Sequence, residues 1–587
     1  MLHQKRVRLS LLVAGGVVVL GLVWLAITAF LARNALENLD DRYDRLRTLV
    51  AAGDLQQARE VARDIPDVAE RAHDLTTGPA WWLAAQVPYL GEPIEVTRAI
   101  AATSGEVGTR VVPQLMNVAG SLDPATLRAS GNTLKLAPLA GARGELAAAA
   151  TSVTTAVAGL RDLPESTWLS PVDRGRARIA TTLLSLRGYI DAAARVSRVL
   201  PEMLGSDRPQ RYFIGLQNEA ELRGTGGLPG AFAIAVANKG KLTFTNFESN
   251  ARLDPPGPGN LLPTGLDFGP EYQAAYGAGL PTSSFVNSNF SPQFPYAAQI
   301  WAAMWQKVSG QRVDGVIALD PTSLAYFLTA TGPSTVSGGI TITAQNVVTL
   351  LQRDQYALFA NNFLQRKQFV VNVLRSASKK LEAGGGSGLA ILQAATRSAQ
   401  EQRLLAWSRD PAIQRALVQT KYAGVLPPTD KPFAGVVVNN ASGGKIDFYL
   451  TRSLDYARTG CGPTRDVLAT IRLTNNAPAS GLPAEVVGRA DDPPPDAKPG
   501  DVHEIVDFIA SRGATLLGVE VNGKQANAGQ IDVVGRPGFR FDLQIPRGTT
   551  TTIDLHLREP GLAGTAEIWR QPGVTPLAVT SRQQMCR

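Results

Sequence analysis

Residues Arg211 to Leu242 read RYFIGLQNEAELRGTGGLPGAFAIAVANKGKL, a knot of charge and glycine set between two apolar runs. Tyr212–Leu216 is short, aromatic and β-branched, and Ala231–Ala237 is too long and apolar for a loop, so both read as buried strands. Between them stand Asn218, Glu219, Glu221 and Arg223, then Gly224, Gly226, Gly227 and Gly230. Three ionisable side chains at a strand end, beside backbone that a ligand can approach closely, are the material of an anion or metal site. A dinucleotide or phosphate loop needs a helix N-terminus directly after its glycines. Here a strand follows, so tight turning and close backbone packing account for the glycines. The plainer reading of the charges is a surface ion pair between Glu219 and Arg223, at the i,i+4 spacing of a helical turn.

Strand and helix alternate from this segment to about Leu381, which predicts an α/β domain over 205–425. Arg252 to Pro295 is rich in Pro, Gly, Asn and Ser, a long loop that covers a site or is disordered. FPYAAQIWAAMWQKV predicts a helix over 296–308, with Trp301 and Trp305 one turn apart in the core. VDGVIALDPTSLAYFLTATGP, Val313 to Pro333, predicts a strand, a helix capped by Asp320 with Pro321 in its first position, and a stop at Gly332–Pro333. That cap explains Asp320 structurally. A long helix then runs from about Ala344 toward Leu381, carrying Arg353 and Arg366. AGGGSG, 383–388, is a flexible loop, and a helical stretch continues to about Tyr422.

From Pro427 the pattern is β. KIDFYL, FRFDLQI and TTIDLHL alternate, and Asn522–Gly523 after Val519 and Val521 is a hairpin signal. A compact β-sandwich over 426–587 is the simplest architecture. The chain's two cysteines, Cys461 and Cys586, both lie there. In an exported protein they are expected to pair, the alternative being two separate thiols.

At the other end, Lys5, Arg6 and Arg8 precede a segment from Leu9 to Ala32 that holds no charged residue. A helix crosses the roughly 30 Å hydrocarbon core in about 20 residues, so this run is read as an uncleaved transmembrane signal anchor. The positive-inside rule puts 1–8 in the cytoplasm and all that follows Arg33 outside, which makes the protein a single-pass resident of the cell membrane. Residues 33–204 are alanine-rich with helical spacing broken by prolines, a helical stalk or bundle. Trp81–Trp82 reads first as packing inside it, and second as a membrane-interface pair. The whole is an α+β multidomain chain: N-terminal transmembrane helix, helical stalk or bundle, central α/β domain and C-terminal β-sandwich.

Composition prunes the chemistry. The net charge of +8 over 587 residues is mild and not gathered into one tract, so nucleic acid is not implied. Four histidines leave almost no material for a Ser-His-Asp triad or a multi-histidine zinc site. An enzyme built on this chain would rest on carboxylates, arginines and a hard cation.

RYFIGLQNEAELRGTGG, VDGVIALDPTSLAYFLTATGP, NVVTLLQRDQYALF and GGKIDFYL, in that order, resemble a mainly actinobacterial family of membrane-anchored proteins known as domain-of-unknown-function family number 4012. That resemblance implies an extracytoplasmic envelope protein and supplies no reaction. The central block is also similar to the LytR-CpsA-Psr family, which transfers polyprenyl-linked glycopolymers onto cell wall. The comparable pieces are Val313 to Pro333, Arg353 and Arg366-Lys367-Gln368, with SNARLD around Arg252 and Asp254 a loose counterpart of that family's Ser-Ile-Pro-Arg-Asp segment. A pyrophosphate lipid needs arginines for bidentate contacts, a carboxylate for Mg²⁺ and an apolar groove. The candidate ligand-binding residues are therefore Glu219, Glu221, Arg223, Arg252, Asp254, Arg353 and Arg366.

Two functions remain open on the sequence. One is a membrane-tethered envelope protein that binds or transfers a polyprenyl-phosphate-linked glycopolymer, with the lipid bilayer as its other partner. The alternative is a non-enzymatic envelope scaffold whose charges are locally satisfied. They differ in whether the charged candidates converge on one apolar-walled pocket.

Overall fold

The computed structural model describes the backbone of residues 2–52, 55–121, 128–130, 133–161, 163–164, 166–254, 261–336, 338–360 and 362–584; side chains are described for these except 2–20, 50–52, 55, 128–130, 161, 189, 192, 196 and 389. The chain divides into two compact units, Met1–Leu127 with Lys135–Pro201, and Arg128–Leu134 with Glu202–Arg587.

The first unit is helical, as alanine-rich text with few β-branched runs requires. It opens on the helix Leu2–Ala52 and ends with Ala137–Arg161 and Ser170–Met203. Val107, Val111, Val118, Leu146, Val153, Leu183 and Ile190 form its main core. Gly108 lets two helices touch, since a Cβ there would run into the Ala69 side chain. Of the run read as a membrane anchor, the side chains of 9–20 lie outside the described residues. Among the described residues no helix is long and apolar enough to cross a membrane.

The second unit is built on a seven-stranded mixed sheet. Its strands are β1 (Arg128–Ser130), β2 (Thr133–Leu134), β3 (Gln210–Arg223), β4 (Gly226–Asn238), β5 (Lys241–Ser249), β6 (Gly315–Leu319) and, after a small ribbon of β7 (Ser334–Thr335) and β8 (Thr341–Ile342), β9 (Leu404–Ser408). Their order is β1-β2-β5-β4-β3-β6-β9, with β3 and β6 parallel. Alternation along β3 sends Phe213 to one face and Tyr212, Ile214 and Leu216 to the other. Phe213 stacks on Phe232 and meets Trp301 of the helix Phe294–Ser309. The opposite face packs on the helices Pro321–Thr331 and Phe363–Glu382 through Leu324, Phe369 and Val373.

The predicted strand–helix–stop at Val313–Pro333 is present: Asp320 caps the helix by accepting from Ser323 N at 2.6 Å, and the helix ends at Thr331. Three expectations change. The single helix from 344 to 381 is broken, with a π-helical turn at Leu350–Asp354 and the long helix starting only at Phe363. The helical stretch to 422 conceals β9, an apolar five-residue run that joins the sheet edge beside β6. In the long segment 252–295, residues from 261 onward are built around Phe268, Tyr272 and Tyr276, which pack with Tyr296.

The sandwich begins at β10 (Phe433–Asn440) and continues as β11 (Leu450–Thr459), β12 (Thr464–Asn475), β13 (Val502–Ala510), β14 (Thr515–Val521), β15 (Lys524–Gln525), β16 (Gly529–Asp532), β17 (Pro537–Ile545), β18 (Thr550–Pro560), β19 (Glu567–Arg570) and β20 (Ala578–Gln583). One sheet runs β16-β17-β13-β10-β19, the other β15-β14-β18-β12-β11-β20. Asn522 and Gly523, both at positive φ, turn β14 into β15 as the sequence predicts. KIDFYL does not form one strand: Ile446–Tyr449 is a 3₁₀ turn and only Leu450 enters β11. Cys461 is disulfide-bonded, and the chain's other cysteine, Cys586, lies outside the described residues. Leu222 and Tyr356, from the α/β part, sit in the sandwich core.

Gly215 of β3 faces Trp301, and a Cβ at that position would overlap the indole. Gly215→Ala is expected to lose about 1–3 kcal/mol of unfolding free energy, read by urea denaturation. A variant as stable as the parent would contradict the packing.

Candidate functional site

The charged stretch is part of the strand itself. β3 continues through Glu219 and Glu221 to Arg223, and a tight turn at Gly224–Thr225 leads into β4. The glycines serve that turn: Gly226 has φ +135, a Cβ on Gly224 would strike the Phe290 carbonyl, and one on Gly227 would strike the Asn218 backbone. Register passes from Asn218↔Leu228 directly to Leu222↔Gly227, so Glu219, Ala220 and Glu221 form a bulge. Asn218 holds it, accepting from Ala220 N at 3.1 Å and donating to the Tyr356 hydroxyl at 2.9 Å. A bulge re-aims side chains, and here it sends the two glutamates to different partners.

Glu219 is fully buried and receives Arg403 Nη1 at 3.0 Å and the side-chain amide of Gln352. The same Nη1 lies 2.7 Å from Asp320, while Arg403 Nε reaches Glu401 at 3.1 Å and Nη2 donates to Gly573 O at 2.9 Å. One guanidinium thus serves three carboxylates. Burial and the adjacent Asp320 push the Glu219 carboxyl well above the usual range, against the pull of Arg403.

Glu221 meets Arg223 Nη2 at 2.7 Å and the Lys445 ammonium. Burial opposes its charge, yet Lys445 and Arg223 outweigh burial and hold it below the ordinary glutamate value. Arg223 is consumed internally: it donates to Val286 O at 3.1 Å, Leu222 O at 2.9 Å and Asn440 O at 3.0 Å, and lies 5.0 Å from the Phe290 ring. The expected Arg223–Glu219 pair does not form, because i,i+4 neighbours belong to a helix and this is a strand.

The sandwich closes over the hairpin tip. Leu222 N donates to Asp447 at 2.6 Å, Gly224 N to Asn439 Oδ1 at 2.8 Å, and Gln571 Nε2 to Arg223 O and Val438 O, each at 2.7 Å. Asp447 lies against Glu504, and burial with this close carboxyl partner drives Glu504 well above its usual value. Arg452, bonded to Gln571 Oε1 at 2.8 Å, is lowered by burial to about 10.

Among the remaining candidates, Arg252 pairs away from this network, whereas Asp254, Arg353 and Arg366 border it: Asp254 through Val286, Arg366 through Tyr356, and Arg353 across a cleft shared with Gln352 and Lys445. Arg252 is half-exposed and pairs with Glu248 at 3.5 Å. Asp254 accepts from Val286 N at 3.2 Å and Ser284 Oγ at 3.4 Å. Arg353 pairs with its neighbour Asp354 at 2.7 Å and faces the Phe448 ring. Arg366 is buried, 2.7 Å from Glu485, between the rings of Tyr356 and Phe363. The carboxylates do not suit Mg²⁺: Glu221 is held by two cations, Asp254 by Ser284 and Val286, and among the described residues no three His, Cys, Asp or Glu side chains gather in a group able to hold a metal ion. A cleft of about 190 Å³ is lined by Gln352, Arg353, Asp354, Lys445, Tyr449 and Leu482, below the 300–1,000 Å³ typical of ligand pockets.

Arg403, Lys445, Asp447, Glu504 and Gln571 are the partners that sequence reasoning passed over. Glu504 was legible: in VHEIVDFIA it shares the inward positions with Val502, Val506 and Phe508. Arg403 is hidden in the sequence because the apolar run LLAWS that follows it reads as helix.

Residues 207–356 match the model of a family described as "Protein of unknown function (DUF4012)". This is about a quarter of the chain; it spans Glu219, Glu221, Arg223, Arg252, Asp254 and Arg353 and stops short of Arg366, Arg403 and Lys445. No curated protein matches. Among solved structures, a putative nutrient binding protein from Legionella pneumophila subsp. pneumophila str. Philadelphia 1 is similar at 11% identity, over 22% of this chain and 43% of that one, with a TM-score of 0.14. A likeness at that level carries no argument about function.

Arg403→Met leaves Glu219 and Asp320 buried without their cation and is expected to lose about 3–5 kcal/mol in chemical denaturation. The carboxyls also set a pH dependence. Folded Glu504 holds its proton more tightly than the unfolded chain, whose carboxyl releases it above about pH 4.3, so its contribution is present in acid and falls as pH rises. Glu504→Gln is expected to raise Tm at pH 8 and to flatten its decline between pH 5 and 8. An unchanged profile in a scanning calorimeter would rule out this assignment.

Proposed function

We propose that this protein is a membrane-tethered, extracytoplasmic scaffold that presents surfaces to envelope partners and has no catalytic centre at its charged strand end. One observation carries the reading: Glu219, Glu221, Arg223 and Arg366 each find an ionic partner inside the fold. A site that waits for an anion keeps donors free, whereas Arg223 has committed its guanidinium to three backbone carbonyls and one carboxylate. The export part of the proposal rests on the basic N-terminus before Leu9–Ala32 and on the bonded Cys461.

The finer likeness to LytR-CpsA-Psr proteins, an actinobacterial origin and a polyprenyl-phosphate or glycopolymer ligand form the competing proposal. Under it, Arg252 and Arg353 are the arginines that a phosphate can reach without dismantling the interior.

Stability and binding separate the two. Arg223→Ala is expected to lower Tm by several degrees or more, and Arg353→Ala to leave Tm within about 1 °C. Neither is expected to change the amount of lipid phosphate that copurifies with the full chain. Polyprenyl phosphate found in the parent preparation and lost in Arg353→Ala at unchanged Tm would overturn the scaffold reading.

A further inference from the structure

Within the helical unit, residues 79–91 read PAWWLAAQVPYLG, thirteen positions without a charged side chain in a chain that is 18% charged. They form a short helix, Pro79–Ala85, and a tight reversal before the next helix at Glu92. Trp81 is buried, its indole N–H donating to Thr28 Oγ1 of the first helix at 2.9 Å. Trp82, one position on, is 54% exposed, and Leu83, Tyr89 and Leu90 are exposed to a similar degree. On the first helix, Trp24, Ile27 and Phe30 are likewise bare. Trp82, Leu83, Tyr89 and Leu90, all exposed within the nine positions 82–90, mark a contact with a partner or a membrane.

Position along the first helix identifies the occupant. Thr28 lies four residues before Ala32, the end of the apolar run, and at 1.5 Å per residue that is about 6 Å below the run's outer limit. Tryptophan and tyrosine with neighbouring leucines suit the boundary between headgroups and acyl chains, where interfacial elements sit about 5–10 Å deep, and Asp67, Glu70, Arg71 and Asp74, which line a cleft with Trp24, Thr28 and Trp81, place that side of the turn among polar headgroups. The Trp81–Thr28 bond fixes the helix Pro79–Ala85 at that level.

We propose that the turn around Trp82–Leu90 is a second membrane contact, an interfacial wedge that dips into the outer leaflet beside the anchor helix. This rests on the tethered reading above. The wedge braces the helical unit against the bilayer, so the first helix is not its sole attachment.

The test uses the full chain in vesicles of phosphatidylcholine and phosphatidylglycerol, with tryptophan fluorescence quenched by lipids brominated near the headgroup. Trp82→Phe is expected to reduce the quenched fraction by roughly one tryptophan's share of the chain's eight. Trp24→Phe reports the anchor independently. If Trp24 is quenched and Trp82 is not, the wedge is refuted while the tether stands. If the chain does not stay with the vesicles at all, the tether fails and the wedge with it. A dimer that shields Trp82 from brominated lipid would assign the patch to a second copy instead, against the proposal. Phenylalanine keeps an apolar ring at a position with no core role, and an unchanged Tm checks that the fold is intact.

Discussion

The C-terminal unit depends on neutralising charge where no water reaches. An isolated carboxylate or guanidinium moved into an interior of low dielectric costs several kcal/mol even after relaxation, and the tip of the β3–β4 hairpin carries three such groups within five residues. They are tolerated because the partners arrive from far along the chain: Arg403 ahead of β9, Lys445 just before and Asp447 within the 3₁₀ turn that leads into β11, Gln571 after β19. Each partner also bonds a backbone group or a second side chain. Removing one therefore strips more than a single contact, and the α/β layer and the sandwich cannot separate without exposing unpaired charge.

The bulge at Glu219–Glu221 makes this arrangement possible. On a regular strand, residues i and i+2 point the same way, and two glutamates side by side would repel. By skipping three residues in the register, the chain turns Glu219 toward Arg403 and Asp320, and Glu221 toward Arg223 and Lys445. Asn218, whose side chain caps the Ala220 amide and reaches Tyr356, fixes the bulge from both sides.

Local signals carried much of the architecture. Asp320-Pro321 and Gly332-Pro333 bracket a helix because cap and terminator chemistry is encoded within a few residues, and Asn522-Gly523 turns a hairpin for the same reason. Alternation placed β17 and β18. What escaped was non-local. LLAWS is as apolar as a helix face, and only the free edge of β6 makes it a strand. The surroundings of Glu219 and Arg223 escaped for the same cause: a cluster of charge and glycine looks alike in sequence whatever it faces, and Arg403 and Asn440 lie 184 and 217 residues away.

The energetics of the buried network bear on where partners can meet this protein. A ligand seeking the Arg223 guanidinium would first have to break a buried pair, a deficit of about 3–5 kcal/mol, or two to three and a half powers of ten in affinity at 1.4 kcal/mol per tenfold. Few anions bring enough new contact to recover that. Arg353 and Arg252 carry no such burden, because each is held by a solvent-accessible neighbour of the kind worth about 0–1 kcal/mol. Burial thus sorts the candidate charges into two classes: those paired inside the fold, such as Glu221 and Arg223, and those paired near the surface, such as Arg252 and Arg353.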